Sequence, residues 1–320
     1  MDFNNALVLV TGGAGSIGTN LVKKLHENGA KIIVLDNLTE GNAENIIRIP
    51  DVEFIKGDIT DEKILHLIFE KPINYIFHLA ASFANERSIE SPIDDLNTNI
   101  IGTIRLLQYS LKLKNFKRFV LVSSSCIYGH SEEILTEDLL PHPETPYAIS
   151  KISSEYYGLF FHKYYELPVT ILRYFNSYGP GEFPGKFRNV IPNFFKLAMG
   201  GKPLPITGTG DEIRSFVYVD DITEGTLLSS LKSSTAGECF NLSSHNEIKI
   251  HDLAEKINVI TGNKAGINYM SPRSWDSIKI RRASFSKANK FFNYNPQVNI
   301  DDGLSKTYQW FLELDKMGKL

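Results

Sequence analysis

The sequence predicts an α/β fold in which a doubly wound parallel sheet carries a smaller, interleaved C-terminal lobe. Short apolar runs alternate with longer amphipathic runs through the first half of the chain, a pattern typical of a parallel sheet with helices on both faces. A glycine-rich turn at residues 11–18 joins the first apolar run to the first amphipathic run. At 320 residues, the chain is long enough to form one large domain with an additional lobe.

The predicted elements follow these runs in order. Residues 6–10 are too few for a helix and are apolar on both faces, as in a buried parallel strand. Residues 17–25 place their apolar side chains on one helix face, and Gly29 offers a C-terminal stop. By the same criteria we predict further strands at 32–35, 52–55, 75–79, 119–122 and 169–172, and further helices at 62–69, 97–113 and 147–165.

The composition changes after residue 176. Residues 177–189 and 200–214 are rich in Gly, Pro and charge, which predicts loops around a site. Further on we predict strands at 215–219 and 239–242 that rejoin the main sheet, and helices at 250–260 and 300–314. These patterns divide the chain into a main domain, 1–176 plus about 215–242, and a smaller lobe, about 177–214 plus 243–320.

The composition narrows the function classes. A net charge of −3 gives no reason to expect nucleic acid or an anionic membrane as partner, and 42% hydrophobic residues are ordinary for a globular protein. No segment is long and apolar enough to cross a bilayer, and the N-terminus lacks a secretion signal pattern. Two cysteines, Cys126 and Cys239, make neither a disulfide framework nor a spaced metal site. We therefore expect a cytoplasmic protein without a metal.

The glycine turn predicts a dinucleotide site. A strand precedes it and a helix follows it, so its glycines let the backbone approach phosphate oxygens while the helix N-terminus supplies N–H donors. Asp36 ends the next strand about twenty residues on, where a carboxylate accepts hydrogen bonds from the adenosine ribose and repels a 2′-phosphate. No Arg or Lys follows immediately, which favours NAD over NADP. The turn residues expected to contact the cofactor are Gly12, Gly15, Ser16, Ile17 and Gly18.

A second motif supplies candidate catalytic groups. Tyr147 and Lys151 are four residues apart and share one face of a helix. A phenol titrates at a pKa of about 10, so we expect the Lys151 ammonium and an oxidised nicotinamide to lower the pKa of Tyr147 until it can act as a base. Ser124 follows a predicted strand, where ligands bind in open α/β sheets, and can hydrogen-bond the reacting oxygen.

Together these residues resemble the extended short-chain dehydrogenases/reductases of the NAD-dependent nucleotide-sugar epimerase/dehydratase type, such as UDP-glucose 4-epimerases. The resemblance covers nearly the whole chain and implies a Rossmann-type sheet and a homodimer formed through helices 97–113 and 147–165. It further implies cofactor contacts at Asn37, Asp58, Ile59, Leu79, Ala80, Ala81, Asn99, Ser123, Tyr147, Lys151 and Tyr174.

The resemblance also implies a site for a nucleoside-diphosphate sugar. A diphosphate suits guanidinium groups, and a ribose diol suits a carboxylate. The residues implied are Ser125, Cys126, Asn176, Asn189, Val190, Pro205, Ile206, Thr207, Arg214, Arg273 and Asp276.

The residues after Ser124 discriminate among the reactions of such enzymes. The 4,6-dehydratases carry an Asp-Glu pair there, but this chain has Ser125 and Cys126, which argues against dehydration. The run resembles that of GDP-fucose synthases and GDP-mannose 3,5-epimerases, whose cysteine works with a second acid/base. Asn189 stands at that second position and cannot exchange a proton, so a 3,5-epimerase/reductase mechanism through Cys126 is incomplete.

What remains is oxidation at sugar C4 with Tyr147 as base. Re-reduction on the other face makes a C4 epimerase, whereas release of the 4-keto sugar makes a C4 dehydrogenase, and a non-catalytic NAD-binding protein is a third alternative. UDP is the expected nucleotide, with GDP open. Near the sugar, alignment of the motifs points to either Ile280 or Arg281, and Arg281 or Arg282 could meet a carboxylate or an extra phosphate or simply lie at the surface.

Overall fold

A computed structural model describes residues 2–271 and 278–320. Its strands are β1 Leu7–Thr11, β2 Lys31–Asp36, β3 Val52–Lys56, β4 Tyr75–His78, β5 Arg118–Ser124, β6 Val169–Tyr174, β7 Ser177–Tyr178, β8 Leu204–Thr207, β9 Ile213–Ser215, β10 Val217–Tyr218, β11 Cys239–Leu242, β12 Glu247–Lys249, β13 Ile267–Met270 and β14 Ile280–Arg281.

The helices are α1 Ser16–Glu27, α2 Glu44–Ile47, α3 Glu62–Phe69, α4 Asn85–Glu90, α5 Pro92–Leu96, α6 Thr103–Ser110, α7 Pro146–Tyr165, α8 Val190–Met199, α9 Val219–Leu231, α10 Ile250–Thr261, α11 Ser286–Phe292 and α12 Ile300–Lys316. A π-helical segment, Asn97–Gly102, connects α5 to α6, and short 3-10 turns lie at Ser125–Tyr128 and Ser233–Thr235. None of the helices in the described part of the chain is long and apolar enough to span a bilayer.

The main sheet has seven parallel strands in the order β11-β6-β5-β4-β1-β2-β3, which confirms the predicted Rossmann-type sheet. Side chains alternate between its two faces, so Val8 and Val10 enter one apolar core while Leu9 enters the other. Burial of each such side chain contributes about 1.5–3 kcal/mol to the free energy of folding. The chain leaves β1 in one direction to β2 and β3, and returns to the other side at β4, which opens a crevice at their carboxyl ends.

A third apolar core lies outside the main sheet. Phe195 of α8, Ile206 of β8, Leu253 of α10 and Phe311 of α12 are buried together there. Small sheets complete this region: β8 pairs with β13 in parallel, and β9 lies between antiparallel β12 and parallel β14. The prediction that residues 200–214 form a loop was therefore wrong where β8 and β9 form. Strands of only three or four residues among glycines and prolines show no periodic hydrophobic pattern in the sequence.

Two other boundaries differ from the prediction. Residues 239–242 join the main sheet as expected, but residues 215–219 do not. There β10 pairs with β7 and the chain turns directly into α9, because β11 occupies the place beside β6. The predicted helix 97–113 begins earlier, at Pro92, where the missing N–H of proline costs no hydrogen bond, and its regular part ends at Ser110.

Candidate active site

Two adjoining cavities open at the carboxyl end of the main sheet. The first, about 690 Å³, is lined by the glycine turn, Asp36, Asp58 and the Ser124–Tyr147–Lys151 group. The second, about 950 Å³, is lined by parts of α8, β8 and β9. Both cavities are lined by Asn85, Cys126, Asn176, Lys186, Arg188, Asn189 and Arg281, so they meet beside the catalytic candidates.

The glycine turn forms a cradle that only glycine fits. Gly12 has φ +70° and its N–H donates to the Leu35 carbonyl at 2.9 Å, while a Cβ at this position would stand 2.6 Å from the backbone nitrogen of Ala80. Helix α1 then begins at Ser16 without a side-chain cap and without an acidic residue in its first turn. Its N-terminal N–H groups and dipole are therefore available to an anion, which fits the pyrophosphate of a dinucleotide.

Two carboxylates lie beyond this turn, in the part of the first cavity predicted to hold the adenosine. Asp36 accepts from the backbone N–H groups of Ala14 (3.0 Å) and Leu38 (2.8 Å), and burial raises its pKa against the effect of these two bonds. Asp58 accepts from Thr60 and from the Asn37 amide at 2.8 Å, and although burial opposes them, these bonds lower its pKa. Both residues line the first cavity, as do Asn37 and Ile59.

The residues that follow β4, predicted to lie beside the nicotinamide, are small and apolar. Leu79, Ala80 and Ala81 line the first cavity after β4, and Ser123 lines it at β5 with a buried hydroxyl that lacks a partner among the described residues. His78 lies behind them, 2.7 Å from Thr11 Oγ1 and 2.9 Å from Thr103 Oγ1. Burial and the Lys151 charge lower the pKa of His78 to about 3, so it is a neutral, positioning imidazole.

The catalytic candidates converge at the start of α7. Thr145 caps this helix by accepting from the Ala148 N–H at 3.2 Å, and the Tyr147 N–H donates to Ser88 Oγ at 3.0 Å. The Tyr147 phenol interacts with Ser124 at the end of β5, and Lys151 follows one helical turn later, 5% exposed. All three predicted residues line the first cavity.

Burial dominates the pKa of Tyr147. Burial raises the pKa of Tyr147 well above its usual value, the Cys126 side chain raises it further, and the hydrogen bond with Ser124 only partly opposes them. Burial also lowers the pKa of Lys151 to about 8, against the carboxylates of Glu155 and Asp95. The expected lowering combines the Lys151 ammonium with an oxidised nicotinamide, so it stays a prediction for the cofactor-bound protein.

Asn99 lies behind the cavity rather than in it. Its amide accepts from the Ser82 N–H at 2.9 Å and donates to Asp95 Oδ1 at 3.0 Å and Ser150 Oγ at 2.9 Å. Its backbone carbonyl, within the π-helical segment, accepts from the Ser154 hydroxyl at 2.7 Å. Asn99 thus fixes α7, which carries Tyr147, against the preceding helix.

Of the remaining predicted residues, Tyr174 and Ser125 line the first cavity, and the others that the structure describes line the second cavity or both. Tyr174 is held by Thr226 at 2.7 Å, Asn176 donates to the Ser215 carbonyl at 2.9 Å, and Arg214 donates to the Ile278 carbonyl at 2.8 Å. Val190, Pro205, Ile206 and Thr207 line the second cavity, whereas buried Ser125 lines the first. Arg273 and Asp276 lie outside the described residues.

Several residues that the sequence did not single out also form this site. Glu40 accepts from Arg87 and from Arg188, each at 2.8 Å, and so links the loop after β2 to the segment before α8. Glu182 is buried and accepts from the Asn189 amide at 2.8 Å, and burial raises its pKa to about 7. Glu40 meets Arg87 and Arg188 across 47 and 148 residues of chain. Glu182 and Asn189 are only seven residues apart but belong to no motif that the sequence pattern singles out.

Comparison with known proteins places the chain in a family. The family model "NAD dependent epimerase/dehydratase family" matches residues 8–243. An epimerase structure from Methanothermobacter thermautotrophicus superposes with a TM-score of 0.95 at 41% identity, covering 98% of this chain and 94% of that one. The UDP-glucose 4-epimerase of Thermotoga maritima, solved with UDP-glucose, gives a TM-score of 0.92 at 36% identity, covering 96% and 99%.

The curated proteins agree with the structures. The UDP-glucuronate 4-epimerase of Thermodesulfobacterium geofontis is 34% identical over 318 residues, which cover 95% of this chain and 96% of that one. The residues present fit NAD, since the glycine cradle, the uncapped α1 and Asp36 provide for its pyrophosphate and ribose. The chain belongs to the NAD dependent epimerase/dehydratase family and is an NAD-dependent enzyme that acts on nucleotide sugars.

Proposed function

We propose that this protein is a C4 epimerase of nucleoside-diphosphate sugars, with UDP as the nucleotide. The observation that carries the proposal is the convergence of Ser124, Tyr147 and Lys151 beside the dinucleotide cradle, with Ser125 and Cys126 where a dehydratase needs two carboxylates. Oxidation at C4 needs only the first three residues.

In the proposed reaction, the chain handles the proton of the sugar hydroxyl. Bound NAD supplies the hydride acceptor, and its positive ring offsets the burial that raises the pKa of Tyr147. Tyr147 Oη takes the proton of the C4 hydroxyl as the C4–H bond breaks, while Ser124 holds the same oxygen and Lys151 stabilises the phenolate. Once the 4-keto sugar presents its other face, Tyr147 would return the proton to the C4 oxygen, and the reduced cofactor would supply hydride to that opposite face of C4.

The Glu40 bridge supports an epimerase over a C4 dehydrogenase. Arg188, whose side chain is 14% exposed, pairs with Glu40 at 2.8 Å, and both line the dinucleotide cavity, so we propose that this ion pair helps to retain the cofactor. A retained cofactor suits a reaction without net redox change. A dehydrogenase would instead need its reduced cofactor to be reoxidised in every cycle.

We assign the two cavities to the two halves of the substrate complex. Residues 1–176 with about 215–242 form the proposed NAD-binding domain, and about 177–214 with 243–320 the proposed sugar-nucleotide lobe. Pro205, Ile206 and Thr207 are suited to flank the base, while Arg214, Asn176 and Asn189 are suited to the diphosphate and sugar. Arg273 and Asp276 retain their proposed roles at the phosphate and ribose.

A homodimer is proposed from two exposed apolar helix faces. On α7, Tyr156, Phe160 and Tyr164 are 61%, 49% and 70% exposed and lie four residues apart on one stripe. The neighbouring helical segment exposes Ile93 and Leu96 as well. Two such helices from each of two copies would bury these side chains against each other.

To test this proposal, the purified protein is incubated with a panel of UDP- and GDP-sugars. Sugar identity is followed by NMR and reduced nicotinamide by absorbance in the same sample. A C4-inverted product without lasting NADH supports the epimerase. One equivalent of NADH per site with a 4-keto sugar, and turnover only with an external oxidant, identifies a C4 dehydrogenase. NAD binding without reduction by any sugar identifies a non-catalytic protein.

A further inference from the structure

Arg281 is a buried cation at the junction of the two cavities. It is 8% exposed and lies on β14, whose Arg281 is in register with Arg214 of β9. Its neighbour Arg282 is directed elsewhere, 3.8 Å from Glu247 at the surface. The strand thus presents one arginine to the cavities and the other to an ion pair on its outer side.

Arg281 has no anionic partner among residues 2–271 and 278–320. Its Nη1 lies 3.7 Å from Cys126 Sγ, and its Nε is buried without a hydrogen-bond partner. Arg173, another buried arginine, shows the usual arrangement, with its guanidinium 2.7 Å from Glu155. A buried guanidinium is costly unless an anion accepts its hydrogen bonds, which makes Arg281 a candidate to bind an anionic ligand.

The position of Arg281 indicates which part of a ligand it meets. Cys126, its neighbour, follows Ser124 by two residues, and the Cys126 N–H donates to Ser124 Oγ at 3.2 Å. Ser124 in turn interacts with Tyr147, and both line the first cavity. The guanidinium therefore lies on the catalytic side of the junction, whereas Arg214 is tied to the backbone carbonyl of Ile278.

We propose that Arg281 binds a carboxylate carried by the sugar, so that the preferred substrate is a nucleoside-diphosphate uronate. The inference rests on the proposed oxidation at C4, because it places the carboxylate at C6, two carbons from the reacting centre. A planar guanidinium matches a carboxylate in a bidentate pair, which a neutral C6 hydroxymethyl group cannot replace.

The test compares UDP-glucuronic acid with UDP-glucose, two probes that differ only in the oxidation state of C6. Wild-type protein is expected to have the lower KM for UDP-glucuronic acid. R281Q should raise that KM by roughly 10- to 100-fold, since a charge-assisted bond is lost, and change the KM for UDP-glucose by less than about threefold. R281K should retain part of the preference, and R282Q, the matched control, should retain all of it.

Binding calorimetry with the same two probes keeps the test independent of turnover, and melting temperature with NAD affinity confirms that each variant is folded. Equal losses of affinity for both probes in R281Q would mean that Arg281 holds the diphosphate and would overturn the inference. Unchanged affinity for both probes in R281Q, or a wild-type preference for UDP-glucose, would overturn it as well.

The products separate this inference from the proposed function. An epimerised uronate supports both. Carbon dioxide and a UDP-pentose support the carboxylate site but overturn the epimerase, because a 4-keto uronate is a β-keto acid whose C5–C6 bond can break with protonation at C5. Selective binding of UDP-glucuronic acid without any turnover supports the inference while the proposed function fails. Epimerisation that favours UDP-glucose leaves the proposed function standing and overturns the inference.

Discussion

At the scale of single residues, Tyr147 carries the proposed chemistry. Its phenol interacts with Ser124, and burial raises its pKa well above the usual value. Y147F removes the proton acceptor but keeps the ring, so we expect NAD binding within about twofold of wild type and turnover lower by roughly 100- to 10,000-fold. Fluorescence titration with NAD and NMR of the sugar product measure the two effects. Near-normal turnover would remove Tyr147 from the base role.

Glu182 gives a prediction on pH and stability. Its folded pKa is about 7, above the ordinary value of 4.5, so the folded state holds a proton that the unfolded state has lost between these values. The stability of the free protein should therefore fall as pH rises through this window, by on the order of 3 kcal/mol relative to E182Q. Urea unfolding of both proteins from pH 4.5 to 8 measures this difference. Parallel stability curves would show that Glu182 is ionised in the folded protein.

The sequence predicted Tyr147 as a site residue but not Glu182, and the difference has a physical reason. Tyr147 and Lys151 belong to one helix, so their spacing alone places both side chains on one face. The Glu40–Arg188 pair forms across 148 residues of chain, and Glu182 acquires its raised pKa through burial, which depends on the whole fold. The burial that raises the pKa of Tyr147 likewise depends on the whole fold, so helix spacing alone could not predict it.

At the scale of elements, the turn between β1 and α1 is the least tolerant part of the site. Gly12 and Gly262 both have φ +70°, but a Cβ at Gly12 would meet the backbone of Ala80, whereas Gly262 has no atom within 4 Å. G262A should cost about 1–2 kcal/mol from the left-handed backbone alone and leave NAD binding unchanged. G12A should cost more and abolish NAD binding. Chemical unfolding and NAD titration of both variants provide the comparison, and G12A protein that binds NAD normally would contradict the cradle.

The elements themselves were predictable where they were long and apolar. Helix α3 lies at the predicted residues and the six strands of the first half form as expected, because buried parallel strands need continuous apolar runs. The short strands β8, β9 and β14 were not predicted. They depend on pairing partners far along the chain and have too few residues for a periodic pattern.

At the scale of the whole molecule, the exposed stripe on α7 predicts the assembly. Replacing Phe160 and Tyr164 together by Glu places charges in the proposed interface, so we expect the double variant to be monomeric where the wild type is a dimer. Val259 on α10, 78% exposed, provides the control, because V259E adds a charge away from that stripe. Light scattering after size exclusion gives the masses. An unchanged mass for the double variant would place any interface elsewhere.

In the proposed reaction, hydride leaves sugar C4 and returns to the same carbon. The most direct measurement uses UDP-glucuronic acid and UDP-glucose with deuterium at C4, incubated with the protein and an amount of NAD far below that of the sugar. We predict a C4-inverted product that retains deuterium at C4, with no accumulation of reduced nicotinamide. A C4-inverted product carrying solvent hydrogen at C4, or deuterium that remains on the nicotinamide while a 4-keto sugar is released, would contradict the account.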